Sequence, residues 1–169
     1  TDLMLGCTVG RSDEPFAITI PHYNEKHEVC NIKFRILPDV MERMQREGAH
    51  VTKYWSLPGH KFHTLYPQFY VESVMKGLDY ITVTEGEFDA MVLLNYNKPA
   101  LSLPSGANSY YPLNELPYKT IYIAFDQDEA GERAAEKWYL HYPNIKRIRW
   151  PKEQGKDVTE YFLNQRKQV

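Results

Sequence analysis

From residue 79 onward, short apolar runs alternate with longer stretches of helical composition, and nothing between them reads as a hairpin turn. YITVTEG (80–86), PALSL (99–103), TIYIAFD (120–126) and KRIRW (146–150) have the composition of strands; EFDAMVLLNYN (87–97), DEAGERAAEKWYLHY (128–142) and DVTEYFLNQRK (157–167) have that of helices. Strands that alternate with helices in this way build βαβ units, so the pattern predicts an α/β fold with a central parallel sheet flanked by helices. In such sheets ligands collect beyond the carboxyl ends of the strands.

The first part of the chain reads differently. FAITIPHYNEKHEVCNIKFRI (16–36) predicts two strands around a polar turn at Asn24-Glu25-Lys26, with Ile18, Ile20, Val29 and Ile32 as apolar positions. PDVMERMQRE (38–47) predicts a short helix with Pro38 in its first turn, Val40, Met41 and Met44 on one side and Gly48 as its stop. Residues 51–67, rich in aromatic residues, Pro and Gly, read as irregular. The expected organisation is a smaller mixed α+β subdomain over 1–70 and the α/β domain over 71–169.

The 169 residues give room for a real core in such an arrangement. Lys plus Arg (20) nearly balance Asp plus Glu (22), so any surface for nucleic acid must be local. The two cysteines, Cys7 and Cys30, lie far apart outside any C-x-x-C pattern and predict neither a zinc site nor a disulfide framework. No apolar run is long enough to span a bilayer and no signal-like segment opens the sequence, so no membrane association is expected and the cytoplasm is the expected compartment.

Acids terminate two of the predicted strands. Glu85 ends the first and Asp126 the third, so both would project from one sheet edge. Asp128 lies two residues past Asp126 at the expected N-cap of the next helix, and Asp89 lies one helical turn past Glu85. Carboxylates gathered this way raise each other's pKa unless a cation neutralises them, and the cation suited to an all-oxygen set is Mg²⁺ or Mn²⁺. Each acid also has a plainer role available: a helix cap for Asp128, a loop acid for Glu85, a dipole partner for Asp89. Those roles do not account for acids at the ends of two different apolar strands, each followed by a glycine, Gly86 or Gly131.

TEGEFDA (84–90) followed by FDQDEAG (125–131) resembles the Toprim domain of bacterial-type primases, topoisomerases, OLD-type nucleases and RecR-type recombination proteins. The resemblance implies the Toprim fold and divalent metal held by Glu85, Asp126 and Asp128. Three features are similar to DnaG-type primases in particular: the Glu-Gly-x-x-Asp-Ala form ending in Asp89 and Ala90; TKYWSLPG (52–59), which resembles a Lys-Tyr-x-x-Ser-Pro stretch; and QGKDVTEYF (154–162), which resembles a late Gly-x-Asp-x-x-Glu motif and adds Asp157 to the metal-proximal acids.

The resemblance implies a primase catalytic core, a nucleotidyltransferase that makes short RNA primers on a single-stranded DNA template from ribonucleoside triphosphates. It would act with a replicative helicase in cis or in trans, since no G-x-x-x-x-G-K-[ST] loop occurs. Lys33, Arg35 and Lys53 are the expected contacts to nucleotide and template, with edge-strand solvation as the alternative for Lys33 and Arg35. In the loop LPSGANS (103–109), which leaves the second strand for the next helix, Ser105, Gly106 and Asn108 are candidate phosphate donors, with a plain turn as the alternative. Trp55 and Leu57 in the upstream stretch and Thr159 in the late motif depart from the usual primase pattern and point to a divergent phage or mobile-element branch. A metal-dependent Toprim nuclease and a non-catalytic nucleic-acid-binding Toprim module remain open as alternatives.

Overall fold

The computed structural model describes residues 3, 5–9, 15–62, 64–75, 77–106 and 111–167, and divides into two compact units, Thr1–Thr64 and Leu65–Val169. Asn108 lies outside the described residues. Among the described residues no helix is long and apolar enough to cross a membrane, and both Cys7 and Cys30 are free thiols.

The first unit is an antiparallel sheet of four strands in the order β1 (Gly6–Val9), β2 (Pro15–Tyr23), β3 (Val29–Ile36), β4 (Tyr54–Ser56), with helix α1 (Pro38–Arg46). The predicted hairpin is β2–β3. Its turn is closed by Asn24, whose Oδ1 accepts from the Lys26 and Glu28 amides, with His27 at φ 64°. Gly48, at φ 81°, takes the left-handed conformation just past α1 that other residues avoid. Ala17, Ile20, Ile36 and Val40 are buried. The segment expected to be irregular contains β4, which pairs Tyr54 with Arg35 and Ser56 with Lys33. Three residues are too few to display alternation, and β4 is defined by the edge it covers.

The second unit holds a four-stranded parallel sheet in the order β6 (Ala100–Ser102), β5 (Tyr80–Thr84), β7 (Thr120–Ala124), β8 (Lys146–Arg147). Helices α2 (Gln68–Val74), α3 (Glu87–Asn95), α4 (Glu129–His141) and α5 (Val158–Arg166) flank it. Ile81 through Thr84 are all buried, as expected of a parallel strand covered on both faces. The core runs through Val83, Leu101, Ile123 and Phe125, and the Phe125 ring meets Trp138 of α4 edge-on at 6.0 Å. The α/β fold with a smaller antiparallel subdomain is therefore the one the alternation predicted.

The strand order places the site. From β5 the chain steps outward through α3 to β6, then crosses back to β7 on the other side of β5. The direction of winding reverses between β5 and β7, and in sheets of this kind ligands gather beyond the carboxyl ends of the strands at such a reversal. The connection from β6 to β7 carries a single 3₁₀ turn at Leu113–Glu115 among its described residues, not the helix expected after LPSGANS.

Candidate active site

Register brings the first two acids together. Thr84 of β5 pairs with Ala124 of β7, so Glu85 and Asp126 emerge side by side where the two strands end. The Asp126 amide donates to Glu85 Oε1 at 3.1 Å, and Phe125, fully buried, anchors the strand end behind Asp126. Gly131 closes the arrangement from α4. A Cβ there would lie 2.1 Å from the Asp126 carbonyl oxygen and 3.0 Å from Glu85 Oε1, so only glycine lets the first turn of α4 approach this closely.

The other acids arrive on helix starts. Asp128 caps α4 through Oδ1, which accepts from the Gly131 amide at 2.9 Å. Asp157 caps α5, its Oδ1 accepting from the Glu160 amide at 2.7 Å, while Glu160 Oε2 accepts from the Lys156 amide at 3.0 Å. Asp89, in the first turn of α3, accepts at Oδ1 from both the amide (2.9 Å) and the hydroxyl (2.7 Å) of Thr159. Thr159, the departure in the late motif, thus holds the start of α5, and with it Asp157, against α3.

The acids act on one another electrostatically. Burial raises the Asp126 carboxyl from 3.8 to about 7, with further contributions from Glu85, Asp89, Asp157 and Asp128. Burial also raises Glu85, as do Asp128 and Asp89, against the lowering effect of the Asp126 amide and Arg147. Among the described residues no three His, Cys, Asp or Glu side chains are gathered closely enough to hold an ion as they stand. The donor chemistry nevertheless fits a hard divalent cation. All the acids offer oxygen, four of them (Glu85, Asp89, Asp128 and Asp157) use one oxygen to fix the fold, and their mutual repulsion is what such a cation relieves.

The basic candidates belong to the first unit and gather there. Lys33 Nζ and Arg35 Cζ lie 5.0 Å from the Tyr54 ring centroid and Lys53 Nζ 5.8 Å, and Arg35 also donates to the Tyr54 hydroxyl. Asn31 fastens the following stretch to β3, its Oδ1 accepting from the Leu57 amide and its Nδ2 donating to the His60 carbonyl. In the loop after β6, Ser105 is exposed and Gly106, at φ 77°, turns its amide onto the Leu103 carbonyl.

Three residues around the acids were not singled out by sequence. Gln127, between Asp126 and Asp128, is buried; its Nε2 donates to the Trp150 carbonyl (3.0 Å) and its own amide to the Lys156 carbonyl (2.6 Å), which ties the acid pair to the segment leading into Asp157. Arg147 of β8 donates to the Asp126 carbonyl at 3.1 Å. Glu87 is fully buried in the first turn of α3.

A parallel sheet with acids at the carboxyl ends of the two strands flanking its switch point is the arrangement of Toprim domains, and residues 82–162 match the model of the Toprim-like family. This part of the chain has the Toprim fold and is similar to that family. Solved structures that share its fold include primase fragments and catalytic domains. The primase fragment of the bacteriophage T7 primase-helicase superimposes with a TM-score of 0.67 at 20% identity, covering 97% of this chain and 63% of that one. A DNA primase domain from Pseudomonas aeruginosa gives 0.67 at 20% identity, covering 92% and 50%. A DnaG primase catalytic domain solved bound to single-stranded DNA gives 0.63 at 18% identity, covering 95% and 53%. These likenesses establish a shared fold, and the chain spans less than two thirds of the length of each relative. No curated protein matches it by sequence.

Proposed function

We propose that this chain is the catalytic core of a primase, which synthesises short RNA on a single-stranded DNA template. The observation that carries the reading is the set of five acids brought to the switch point of a Toprim sheet, within a fold shared with primase cores over nearly the whole chain. The reaction class is nucleotidyl transfer: a 3′-hydroxyl oxygen bonds to the α-phosphorus of an incoming ribonucleoside triphosphate, and pyrophosphate departs.

Glu85, Asp126 and Asp128, with Asp157, would hold Mg²⁺ or Mn²⁺, which when bound supplies positive charge to the nucleotide phosphates. The remaining work belongs to the chain. The Asp126 amide orients Glu85, Gln127 and Gly131 fix the loop that carries Asp126 and Asp128, and Asp89 keeps Asp157 in place through Thr159. Lys33, Arg35 and Lys53 would bind triphosphate and template backbone from the first unit, where Tyr54 groups them. Ser105, Gly106 and Asn108 would offer donors to phosphate. The protein would work in the cytoplasm, together with a replicative helicase in cis or in trans.

The test supplies single-stranded DNA, labelled ribonucleotides and Mg²⁺ or Mn²⁺. Alkali-labile oligoribonucleotides support a primase; cleavage of the DNA without synthesis would replace this reading by that of a Toprim nuclease, and binding without either reaction by that of a non-catalytic module.

A further inference from the structure

Arg147 is the least expected charge near the acids. Its side chain is 3% exposed, on a strand of two residues whose sequence signals nothing but a strand. One amino group donates to Glu132 Oε2 of α4 at 2.9 Å, the other to the main-chain carbonyl of Asp126 at 3.1 Å, and Nε has no hydrogen-bond partner. Glu132 is in turn gripped by Arg149 through both carboxylate oxygens at 2.8 Å.

Burying a guanidinium with an unsatisfied N–H is costly, and an apolar residue would serve the packing of a β8 position better. An ion pair with Glu132 accounts for one arm only. The second arm reaches the Asp126 carbonyl, not its carboxylate, so it fixes the acid's main chain and leaves the carboxylate unengaged by Arg147. The same carbonyl is crowded from the other side by Gly131, so it is held between α4 and β8. A guanidinium fork presents separate nitrogens to the α4 carboxylate and to the Asp126 carbonyl, where an ammonium has a single nitrogen for both.

We propose that Arg147 is a positioning residue for the metal-handling acids, held in register by Glu132 and holding Asp126 through its main chain. The proposal rests on the metal-binding part of the function proposed above. It is tested on the whole chain with Mn²⁺ alone, by titration calorimetry, alongside a urea unfolding curve for each variant. Arg147→Lys keeps the charge and loses the fork; Glu132→Gln keeps the guanidinium and loosens its anchor. Each is expected to weaken Mn²⁺ binding about tenfold, the low end for residues that orient metal ligands from behind.

Arg147→Lys with unchanged Mn²⁺ affinity and a lowered urea midpoint would make Arg147 merely structural and overturn the proposal. Should Arg147→Lys fail to fold, unchanged affinity in Glu132→Gln overturns it equally. Wild-type protein that takes up no Mn²⁺ at all would remove the metal reading and this proposal with it, an outcome distinct from a variant that binds as the wild type does.

Discussion

Replacing Asp126 by Asn is expected to stabilise the metal-free protein at alkaline pH while removing a group the proposed reaction needs. The Asp126 carboxyl is held at about 7 in the fold against an ordinary 3.8, by burial first and by the neighbouring acids next. At about 1.4 kcal/mol per pH unit, ionising it in the fold would cost roughly 4 kcal/mol, and because the group is only partly buried, solvent screening brings this to about 1–2 kcal/mol. A carboxyl raised in the fold contributes no penalty below pH 3.8, where it is protonated in both states. The penalty grows through the window from 3.8 to about 7 and is fully present above it, so this group makes stability fall as pH rises.

Asparagine never ionises and escapes that slope. Urea unfolding in the presence of a chelator, at pH 4.5 and pH 8, should show Asp126→Asn more stable than wild type by about 1–2 kcal/mol at pH 8, with the difference shrinking to a few tenths at pH 4.5. A variant less stable than wild type at pH 8, or a difference that does not change with pH, would refute the claim that burial, helped by the neighbouring acids, makes an ionised Asp126 costly in the absence of metal.

Gly131→Ala places a methyl 2.1 Å from the Asp126 carbonyl oxygen and must push the first turn of α4 away; a loss of about 2–3 kcal/mol is expected in urea unfolding, and an unchanged midpoint would contradict the close approach. Asp157→Ser keeps an N-cap acceptor for the Glu160 amide, so stability should change by less than about 0.5 kcal/mol while primer synthesis falls at least tenfold; full synthesis would reduce Asp157 to a cap. Lys53→Ala should weaken single-stranded DNA binding and lower the slope of log affinity against log salt by about 1, measured by fluorescence anisotropy; an unaltered slope would remove Lys53 from the template contacts.

The alternation after residue 79 was enough to read the parallel sheet, because β5 and β7 are continuous apolar runs and α3, α4 and α5 are each more than two turns long, while the two- and three-residue strands β8 and β6 follow from their place between helices. The acids at the strand ends were readable for the same reason: Glu85 and Asp126 each follow an apolar run directly. Their convergence was not, since strand order is absent from a local pattern and the switch between β5 and β7 exists only once β6 has gone to the outer edge. Arg147 and Gln127 were illegible because their partners, the Asp126 carbonyl and the Trp150 backbone, are main-chain atoms brought close by the fold. β4 escaped because its three residues sit among aromatic residues, Pro and Gly, and draw their strand character from pairing with β3. Thr159 read as a departure from a motif; in the fold its two bonds to Asp89 give it a defined place.

The measurement that bears most directly on the proposed chemistry is primer synthesis by Asp126→Ala beside the wild type, on single-stranded DNA with labelled ribonucleotides and Mg²⁺ or Mn²⁺, each protein first shown to be folded. The wild type should yield short oligoribonucleotides and the folded variant none. Synthesis left intact in Asp126→Ala would contradict the assignment of the reaction to the acids at the β5–β7 switch point.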